Sequence, residues 1–531
     1  MLLNYLKVTG RNFVKQRLYS AVNVLGLAAG FTCCLLIALY VLDESSYDQQ
    51  HPDADRIYRF SQTYVALDEP LYLGTAAPQV GPLLKENFTE VEDFTRLFLT
   101  VRVFASQDGS FHDEEVMLAD PSVFDFVALD WVQGDPTTAL AEPDNVVVTR
   151  SFAREYFGSE DVYGQSLLMG NKSETPLRVT GIVEDLPPNM HFVTGAFLAL
   201  SSLPATSSRP TILQDWDFPN IATYLKLKPQ ADSRQLQDAF GTFILQSMPE
   251  RMRTEWKFSS LKLPDIHLHS PLQGLGERSS GNLTNIRILS VIGAGLLLLA
   301  CINFVNLSTA RALQRSKEVV IRKAIGSSRN QLFQQFMGES LLLVLIAFLA
   351  ALAFAELLLP VLNAFTGKSM TIAVLFASAP AALSVIGTVL LVAFLAGCYP
   401  ALYLSALRPA QRALQVTDRR HGLAFRDVLV VFQFSLSIML VIATLVVNSQ
   451  VQLGKTMDLG FNKEQLLGIS TPDSGVFGNA WWPTLKNELM TQPGIVAATI
   501  SGTRPFATKA VTSPSRWSNS RLSTISSRPI R

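Results

Sequence analysis

Two tripeptides in this 531-residue chain have the residue types that hold the phosphates of a nucleotide. Gly367-Lys368-Ser369 and Gly454-Lys455-Thr456 match the end of a phosphate-binding loop, in which backbone amides and a lysine contact the phosphates. That motif needs a glycine five residues earlier, where Leu362 and Ser449 stand instead. We therefore expect this chain to bind no ATP and no other cofactor, so that any ATP is bound by a partner subunit.

Histidines and carboxylates are the side chains that could ligate a metal ion. His267 and His269 would share one face of a strand, but no third His or Cys lies near them, so we expect two structural histidines. An acidic group follows the first apolar run: Asp43, Glu44, Asp48, Asp53 and Asp55. It lacks the regular spacing and the closing Gly and Glu of a calcium loop, so we expect a solvated segment with helix caps rather than a cation site.

Signatures of catalysis are absent as well. The motifs GxSxG, HExxH and CxxC do not occur, and the formal net charge of zero gives no indication of nucleic-acid binding. All four cysteines lie within apolar runs, so we expect packing residues and no disulfide framework. We predict that the chain is not an enzyme and holds no metal.

Five apolar runs of bilayer length organise the chain, because about 20 helical residues at 1.5 Å each cross the hydrocarbon core. The runs are Ala21–Leu42, Ile288–Leu307, Leu341–Leu362, Ala382–Leu404 and Val428–Val447. Lys and Arg are concentrated before the first run, between the second and third, and between the fourth and fifth. Since short basic segments stay in the cytoplasm, we predict a multi-pass membrane protein with a cytoplasmic N-terminus. No charge lies near the middle of any run, which argues against an ion-driven carrier.

The polar segment Asp43–Asn285, between the first two runs, is long enough for a sizeable domain. Alternating or β-branched residues predict strands at Arg56–Phe60, Val101–Ala105, Asn145–Thr149, Arg178–Val183 and Ala222–Leu227. Helical patterns occur at Pro78–Asn87, Ser151–Phe157 and Ser233–Met248. We therefore predict an α-helical transmembrane bundle of five spans, with a large α+β extracytoplasmic domain inserted between spans 1 and 2.

The loop Arg311–Glu339, between the second and third spans, is the main functional candidate. Its charged residues include six cations and two acids: Arg311, Arg315, Lys317, Arg322, Lys323, Arg329, Glu318 and Glu339. Leu313, Val320 and Ala324 would share one face of a helix that ends at Gly326, with Ile321 and Ile325 beside that face. A basic amphipathic helix held against the cytoplasmic face could dock a partner or lie on anionic lipid, and the residues alone leave both open.

The predicted organisation follows from these elements. The cytoplasmic lead and span 1 occupy 1–42, the extracytoplasmic domain 43–285, spans 2–4 occupy 286–407, and a cytoplasmic linker with span 5 occupies 408–447. Residues 448–510 would begin a second extracytoplasmic domain, as in an internal repeat. The tail 511–531 is rich in Ser and Arg, and we expect it to be disordered or frame-shifted. We also expect Pro400 to kink or break the end of span 4.

Four blocks of this sequence resemble the MacB/FtsX-type permease subunits of ABC transporters, over about residues 1–500. The blocks are Asp43–Phe60, Val146–Phe192, Asn303–Ser340 and Tyr399–Leu414. The third block is the most specific, because it carries the family's basic core in the form RSKEVVIRKAIG. The resemblance is to two-repeat permeases with a MacB-like periplasmic core domain.

The resemblance implies that the basic loop contacts a separate cytoplasmic ABC ATPase subunit. The coupling residues would be Arg315, Lys317, Glu318, Arg322, Lys323, Gly326 and Glu339. ATP-driven dimerisation of the ATPase would move the spans and bend the outer domain, in an export or mechanotransmission complex of the bacterial inner membrane. A periplasmic adaptor, a second permease copy and membrane lipid are the other expected partners.

The resemblance also leaves an alternative function and raises a question about length. An FtsX-like regulatory protein would control an extracytoplasmic partner, such as a cell-wall enzyme, without transport. Permeases of the two-repeat type complete a second outer domain and three more spans, so we expect this chain to be C-terminally truncated.

Overall fold

The computed structural model describes residues 17–68, 70–106, 111–170, 175–207, 209–270, 281–406, 420–456 and 482–499. Its helices are α1 (Arg17–Ser45), α2 (Val80–Asn87), α3 (Arg150–Phe157), α4 (Leu203–Thr206), α5 (Ser233–Ser247), α6 (Ile266–His269), α7 (Leu283–Ala324), α8 (Arg329–Thr366), α9 (Ala379–Ala406), α10 (Arg420–Thr456) and α11 (Trp482–Thr491). Most of the predicted linker, at 408–419, and the whole tail 511–531 lie outside the described residues.

In the described part of the chain, five helices, α1 and α7–α10, are long and apolar enough to cross a membrane. This confirms the five predicted spans and the insertion of an α+β domain between the first two. By contact the chain divides into two compact units. The helical unit contains α1 and Asn282–Phe461, and the body of the sheet unit is Ser46–Gly281.

The sheet unit is built on a mixed sheet of eleven strands. The strands are β1 (Ile57–Tyr64), β2 (Leu71–Leu73), β3 (Val91–Ala105), β4 (Phe111–Ala119), β5 (Trp131–Gly134), β6 (Asn145–Thr149), β7 (Ser166–Met169), β8 (Thr175–Val183), β9 (Ala196–Ala199), β10 (Ala222–Leu227) and β11 (Trp256–Lys262). Their order is β11-β1-β10-β3-β4-β9-β6-β8-β5, with β2 beside β1, and β7 paired with β3 and β8. The pairs β4–β9 and β6–β8 are parallel, and the other pairs are antiparallel.

All five predicted strands and all three predicted helices of this unit are confirmed. The strand β6 shows why the pattern was readable. Val146 and Val148 pack on one side of the sheet with Phe152 of α3, while Val147 packs on the other side with Phe197. Because successive side chains alternate between two buried faces, the strand reads as an unbroken run of Val.

Small residues let the spans of the helical unit approach closely. In α8 the alanines Ala347, Ala351 and Ala355 recur every fourth residue and are fully buried. In α1, Gly30 faces α7 so closely that a Cβ there would lie 2.5 Å from the Cβ of Ala300. Without a strong hydrophobic force between spans in lipid, such close backbone contact is a main source of association.

Pro400 does not end α9, which continues to Ala406. Pro400 therefore does not break the helix, and the other predicted outcome, a kink, stays a prediction. Pro400 is buried, and Ala396 and Ala401 on the same helix are fully buried too. Neighbouring helices can support a proline inside a span, because the backbone group it frees is shielded or satisfied by the surrounding bundle.

Candidate functional site

The basic loop forms a sharp elbow between α7 and α8. The helix α7 ends at Ala324, and Gly326 follows with φ +105°, a backbone conformation that favours glycine. Ser328 then caps α8: its Oγ accepts from the backbone N–H of Gln331 at 3.3 Å, and Gln331 Oε1 accepts from the N–H of Ser328 at 3.0 Å. This capping box fixes the start of α8 and confirms the predicted helix stop at Gly326.

The elbow lies at the end of a helix that continues past the apolar span. The sequence predicts a basic amphipathic helix held against the cytoplasmic face, and its place at that face stays a prediction. The structure shows that this helix is the end of α7, which runs without a break from Leu283 to Ala324, with its apolar span ending at Ala310. The remaining turns extend the same helix by about 21 Å at 1.5 Å per residue. The helix continues because nothing between Ala310 and Ala324 stops it, since the first glycine is Gly326.

An apolar cluster fixes the elbow to its neighbours. Val319 of α7 is buried against Leu332 and Phe336 of α8 and Ala401 of α9. The predicted apolar face contained Val320, whose side chain lies outside the described part, as do those of Leu313 and Ala324. Ile321 is 59% exposed and Ile325 is 82% exposed. One turn apart, these two side chains give the elbow an uncovered apolar spot among basic residues.

The predicted coupling residues lie in three settings. Arg315, Lys317, Glu318 and Arg322 are on the helical backbone of α7, and their side chains lie outside the described part. Lys323 and Gly326 are at the elbow, where burial, and then the charge of Arg329, lower the pKa of Lys323. Glu339 is on α8, about 15 Å along the helix from Arg329, and accepts a hydrogen bond from Gln335 at 3.3 Å.

At the other end of α8, Lys368 joins two helices of the unit. Its ammonium group donates to Asp43 and Glu44, at the end of α1, and lies 5.1 Å from the centre of the Tyr40 ring. Burial alone would lower the pKa of Lys368, but the hydrogen bonds to the two carboxylates raise it above its usual value. Sequence reasoning missed this role, although Lys368 is the one charged residue in Asn363–Leu375.

The remaining acids of the predicted acidic group also have cationic or hydrogen-bonding partners. Asp48 is buried and contacts His191 at 2.8 Å. Asp53 contacts Lys226 and Arg56, each at 2.6 Å, and Asp55 lies 3.6 Å from Lys262. The prediction of a solvated segment is therefore wrong for Glu44 and Asp48, which are buried, whereas the Asp55 side chain is 89% exposed. In the described ranges no group of three or more His, Cys, Asp or Glu could hold a metal ion.

The pair His267 and His269 lies on the short helix α6, not on a strand. Two residues apart on a helix, the side chains point in different directions. His267 is buried and stacks on Tyr47, with ring centroids 3.6 Å apart. His269 is exposed and lies 3.5 Å from Asp265. The strand prediction is wrong, and the two imidazoles do not converge.

Asp53 makes a pH-dependent contribution to stability that can be measured. Hydrogen bonds from Lys226 and then Arg56 lower its pKa to about 2, compared with about 4 for a free aspartate. Because the folded state lowers this pKa, the stabilisation is present above pH 4 and is lost as the pH falls towards 2. At pH 6 we expect the free energy of unfolding of the wild type to exceed that of Asp53→Asn by about 1 kcal/mol. The difference is small because the carboxylate is partly solvated. Thermal unfolding of both proteins from pH 7 to 2 tests this, and a gap that persists at pH 2 would contradict it.

Two family models match the chain, in the order of its two units. One, described as the MacB-like periplasmic core domain, matches residues 20–243. The other, described as the FtsX-like permease C-terminal region, matches residues 290–409. The second match contains the elbow and the helices α8 and α9 that pack against it.

Individual proteins show weaker similarity. A protein of Pseudomonas fluorescens (strain Pf-5), named a probable export ATP-binding/permease protein, is 23% identical over 282 residues. That match covers 53% of this chain and 38% of the relative, so the chain spans well under half of the relative's length.

Two solved structures are also similar. A domain from a Porphyromonas gingivalis protein described as a permease is 22% identical, with a TM-score of 0.36, covering 45% of this chain and 99% of that domain. The periplasmic region of MacB from Actinobacillus actinomycetemcomitans is 12% identical, with a TM-score of 0.30, covering 41% of this chain and 94% of that structure.

The family matches agree with the architecture. The periplasmic-domain match ends within the sheet unit, the permease match covers most of α7 and all of α8 and α9, and the spans flank the insert on both sides. The chain therefore belongs to the MacB/FtsX-type family of ABC transporter permeases, as a multi-pass protein of the inner membrane.

Proposed function

We propose that this chain couples ATP hydrolysis by a separate cytoplasmic ATPase subunit to motion of its extracytoplasmic domain. One observation carries the proposal: α7 is a single helix that begins at the Asn282 cap, where the inserted segment ends, and reaches the elbow. Its 42 residues extend about 63 Å. A continuous helix is stiff along its axis, so a displacement applied at the elbow is passed to the other end.

The proposed orientation places the N-terminus and the elbow in the cytoplasm. The elbow region is rich in Lys and Arg, which short cytoplasmic segments retain. The ion pairs of Lys368 with Asp43 and Glu44 place the α8–α9 connection and the end of α1 at the same end of the helical unit. The inserted domain begins there, so it would lie outside.

The form of the elbow favours a protein partner over a lipid surface. A helix that lies on lipid runs parallel to the membrane surface and buries its apolar side in that surface. Here the basic stretch continues α7 for about 21 Å past the apolar span. It ends at Ile321 and Ile325, which are exposed beside the cluster that fixes the elbow. Exposed apolar side chains within a charged rim are typical of a protein interface.

The proposed partner is an ABC ATPase, because this chain would not bind ATP itself. The Pseudomonas fluorescens relative combines ATP-binding and permease functions by name, and the present chain has no complete phosphate-binding loop. A second copy of the permease, a periplasmic adaptor and the surrounding lipid would complete the assembly. The lipid would face α10, whose span has no buried residues in the described part.

The double variant Glu318→Ala/Arg322→Ala tests the coupling role of α7. We expect a loss of co-purified ATPase of at least about tenfold, because each of the two polar contacts at a buried interface contributes about 1–3 kcal/mol. The measurement is the ratio of ATPase to permease after affinity purification of the full chain from its own cells. Arg287→Ala is the matched control, since Arg287 is exposed at the opposite end of α7.

The outcomes separate a coupling role from a general defect of α7, and export from regulation. An unchanged ATPase ratio in the double variant would contradict the coupling role. A loss shared equally by Arg287→Ala would indicate a general defect of α7. If the ATPase binds, ATPase stimulation together with substrate efflux supports export. Activation of an extracytoplasmic enzyme without efflux supports the regulatory alternative.

A further inference from the structure

Five buried polar side chains of the sheet unit form a hydrogen-bonded series. Arg59 of β1 is fully buried and donates to Ser270 Oγ at 2.8 Å. Arg59 also makes a hydrogen bond to Tyr224 of β10. The phenol oxygen of Tyr224 lies 2.6 Å from Nε2 of His191, and His191 Nδ1 lies 2.8 Å from Asp48 Oδ1. All five side chains are buried.

The chemistry of these side chains decides which of them donates and which accepts each hydrogen bond. Burial raises the pKa of Tyr224 to about 12, so the phenol keeps its proton at neutral pH. Arg59 has only donors, so its hydrogen bond to Tyr224 points at the phenol oxygen. Tyr224 is then free to donate to Nε2 of His191, and His191 donates from Nδ1 to the Asp48 carboxylate. Every link has one donor and one acceptor, and Tyr224 and His191 separate the charges of Arg59 and Asp48.

The two ends of this hydrogen-bonded series lie near the two ends of the inserted segment. Asp48 lies three residues after Ser45, the last residue of α1. Ser270 is the last described residue before Gly281, which immediately precedes the α7 cap Asn282. The side chains therefore connect positions more than 200 residues apart in sequence, at the start and at the end of the sheet unit.

One further contact holds the same pair of segments, and separate hydrogen bonds fix the leading segment. Tyr47 stacks on His267, with ring centroids 3.6 Å apart and ring planes 3° from parallel. The leading segment is also held to the loop before β9: the backbone N–H of Asp48 donates to Asn189 O at 3.0 Å, and Asn189 Nδ2 donates to Ser46 O at 3.2 Å. Among described residues other than glycine, Asp48 alone has a positive φ, +58°. Such a backbone persists where surrounding contacts over-determine it.

We infer that Asp48, His191, Tyr224, Arg59 and Ser270, with the Tyr47–His267 stack, form a clasp that binds the leading and trailing segments of the sheet unit into one mechanical element. The first and last described segments of the sheet unit then move as one element rather than as two independent segments. His191, Tyr224 and Arg59 are positioning residues: they act by holding the two segments together. The clasp stands whether or not the chain couples to an ATPase.

Hydrogen exchange of the full chain in detergent, read by mass spectrometry, tests the clasp. Ser270→Ala changes only the trailing end, yet we expect amide exchange at residues 46–51 to rise at least about fivefold. Asp48→Asn changes only the leading end, and we expect the same rise at residues 266–270. Residues 145–149 of β6 report global unfolding and should not change.

A third variant tests whether the side-chain path carries the effect. Tyr224→Phe removes the one oxygen that joins Arg59 to His191. In that background Ser270→Ala should no longer raise exchange at residues 46–51, because the path is already broken. Asp120→Asn is the control for a general loss of stability, since Asp120 binds Arg96 on β3 and takes no part in the clasp.

Three results would overturn the inference. One is an effect of Ser270→Ala and Asp48→Asn confined to the altered segment. Another is an equal effect of Ser270→Ala with and without the Tyr224 hydroxyl. The last is an equal rise at both segments in Asp120→Asn. Two variants test the Tyr47–His267 stack. His267→Phe, which keeps an aromatic ring, should raise amide exchange in the two segments less than His267→Ala.

Discussion

Gly30→Leu is expected to prevent the normal packing of α1 against α7. A Cβ on Gly30 would lie 2.5 Å from the Cβ of Ala300 and 3.6 Å from the carbonyl oxygen of Leu296. Leucine adds three carbons beyond that Cβ, so the two helices must separate. Overpacking in a well-packed core costs about 1–3 kcal/mol or more. We expect the yield of monodisperse full-length protein to fall several-fold and its melting temperature to drop.

Gly387→Leu is the matched control for this prediction. Gly387 also lies within a span, on α9, and a Cβ there would meet no described atom within 4 Å. Both variants place the same side chain in a transmembrane helix, so they differ mainly in the space available. Fluorescence-detected size exclusion after a temperature series measures the difference. Equal behaviour of the two variants would show that close approach at Gly30 does not stabilise the helical unit.

Asp120→Ala is expected to cost the sheet unit about 3 kcal/mol of stability, because it leaves a mostly buried guanidinium without its carboxylate. Arg96 donates to both oxygens of Asp120, from Nε at 2.8 Å and from Nη2 at 2.9 Å. Asp120 also accepts from the backbone N–H of Arg96 at 3.0 Å. The side chains of the pair are only 13% and 15% exposed, so water cannot replace these bonds.

Asp217→Ala removes an ion pair of the same chemistry at the surface. Asp217 contacts Arg251 at 2.6 Å, but the Arg251 side chain is 67% exposed. Surface pairs contribute about 0–1 kcal/mol, so we expect little change. Thermal unfolding of the full chain, followed by tryptophan fluorescence, compares the two variants. A similar melting temperature for both would contradict the importance of burial for the Arg96–Asp120 pair.

The proposed coupling depends on the elbow and α7 within the helical unit, and the proposed clasp lies within the sheet unit. The elbow is fixed by Val319, Leu332 and Phe336, and the seam of α1 and α7 is closed at Gly30. The clasp would join the segment of the sheet unit that follows α1 to the segment around His267 and Ser270. The tests proposed for the three parts are separate, because each alters residues of only one.

The sequence alone determined the elements with strong local periodicity. The five spans follow from the length of the apolar runs, and strands such as β6 and β10 from alternating or β-branched residues. The helix stop at Gly326 was also readable, because a positive φ favours glycine and Ser328 can cap the next helix. Such signals depend on neighbours within a few residues, so they survive without knowledge of the fold.

The tertiary structure decided the features that depend on distant partners. The buried side of the elbow is set by Leu332, Phe336 and Ala401, so Val319 is enclosed while Ile321 remains exposed. Lys368 contacts Asp43, which is 325 residues away in sequence, and His191 contacts Asp48, which is 143 residues away. No local pattern marks such pairs, because each side chain is ordinary in its own segment. Their roles arise only when folding brings the segments together and removes water, which makes an unpaired charge costly and a paired one stable.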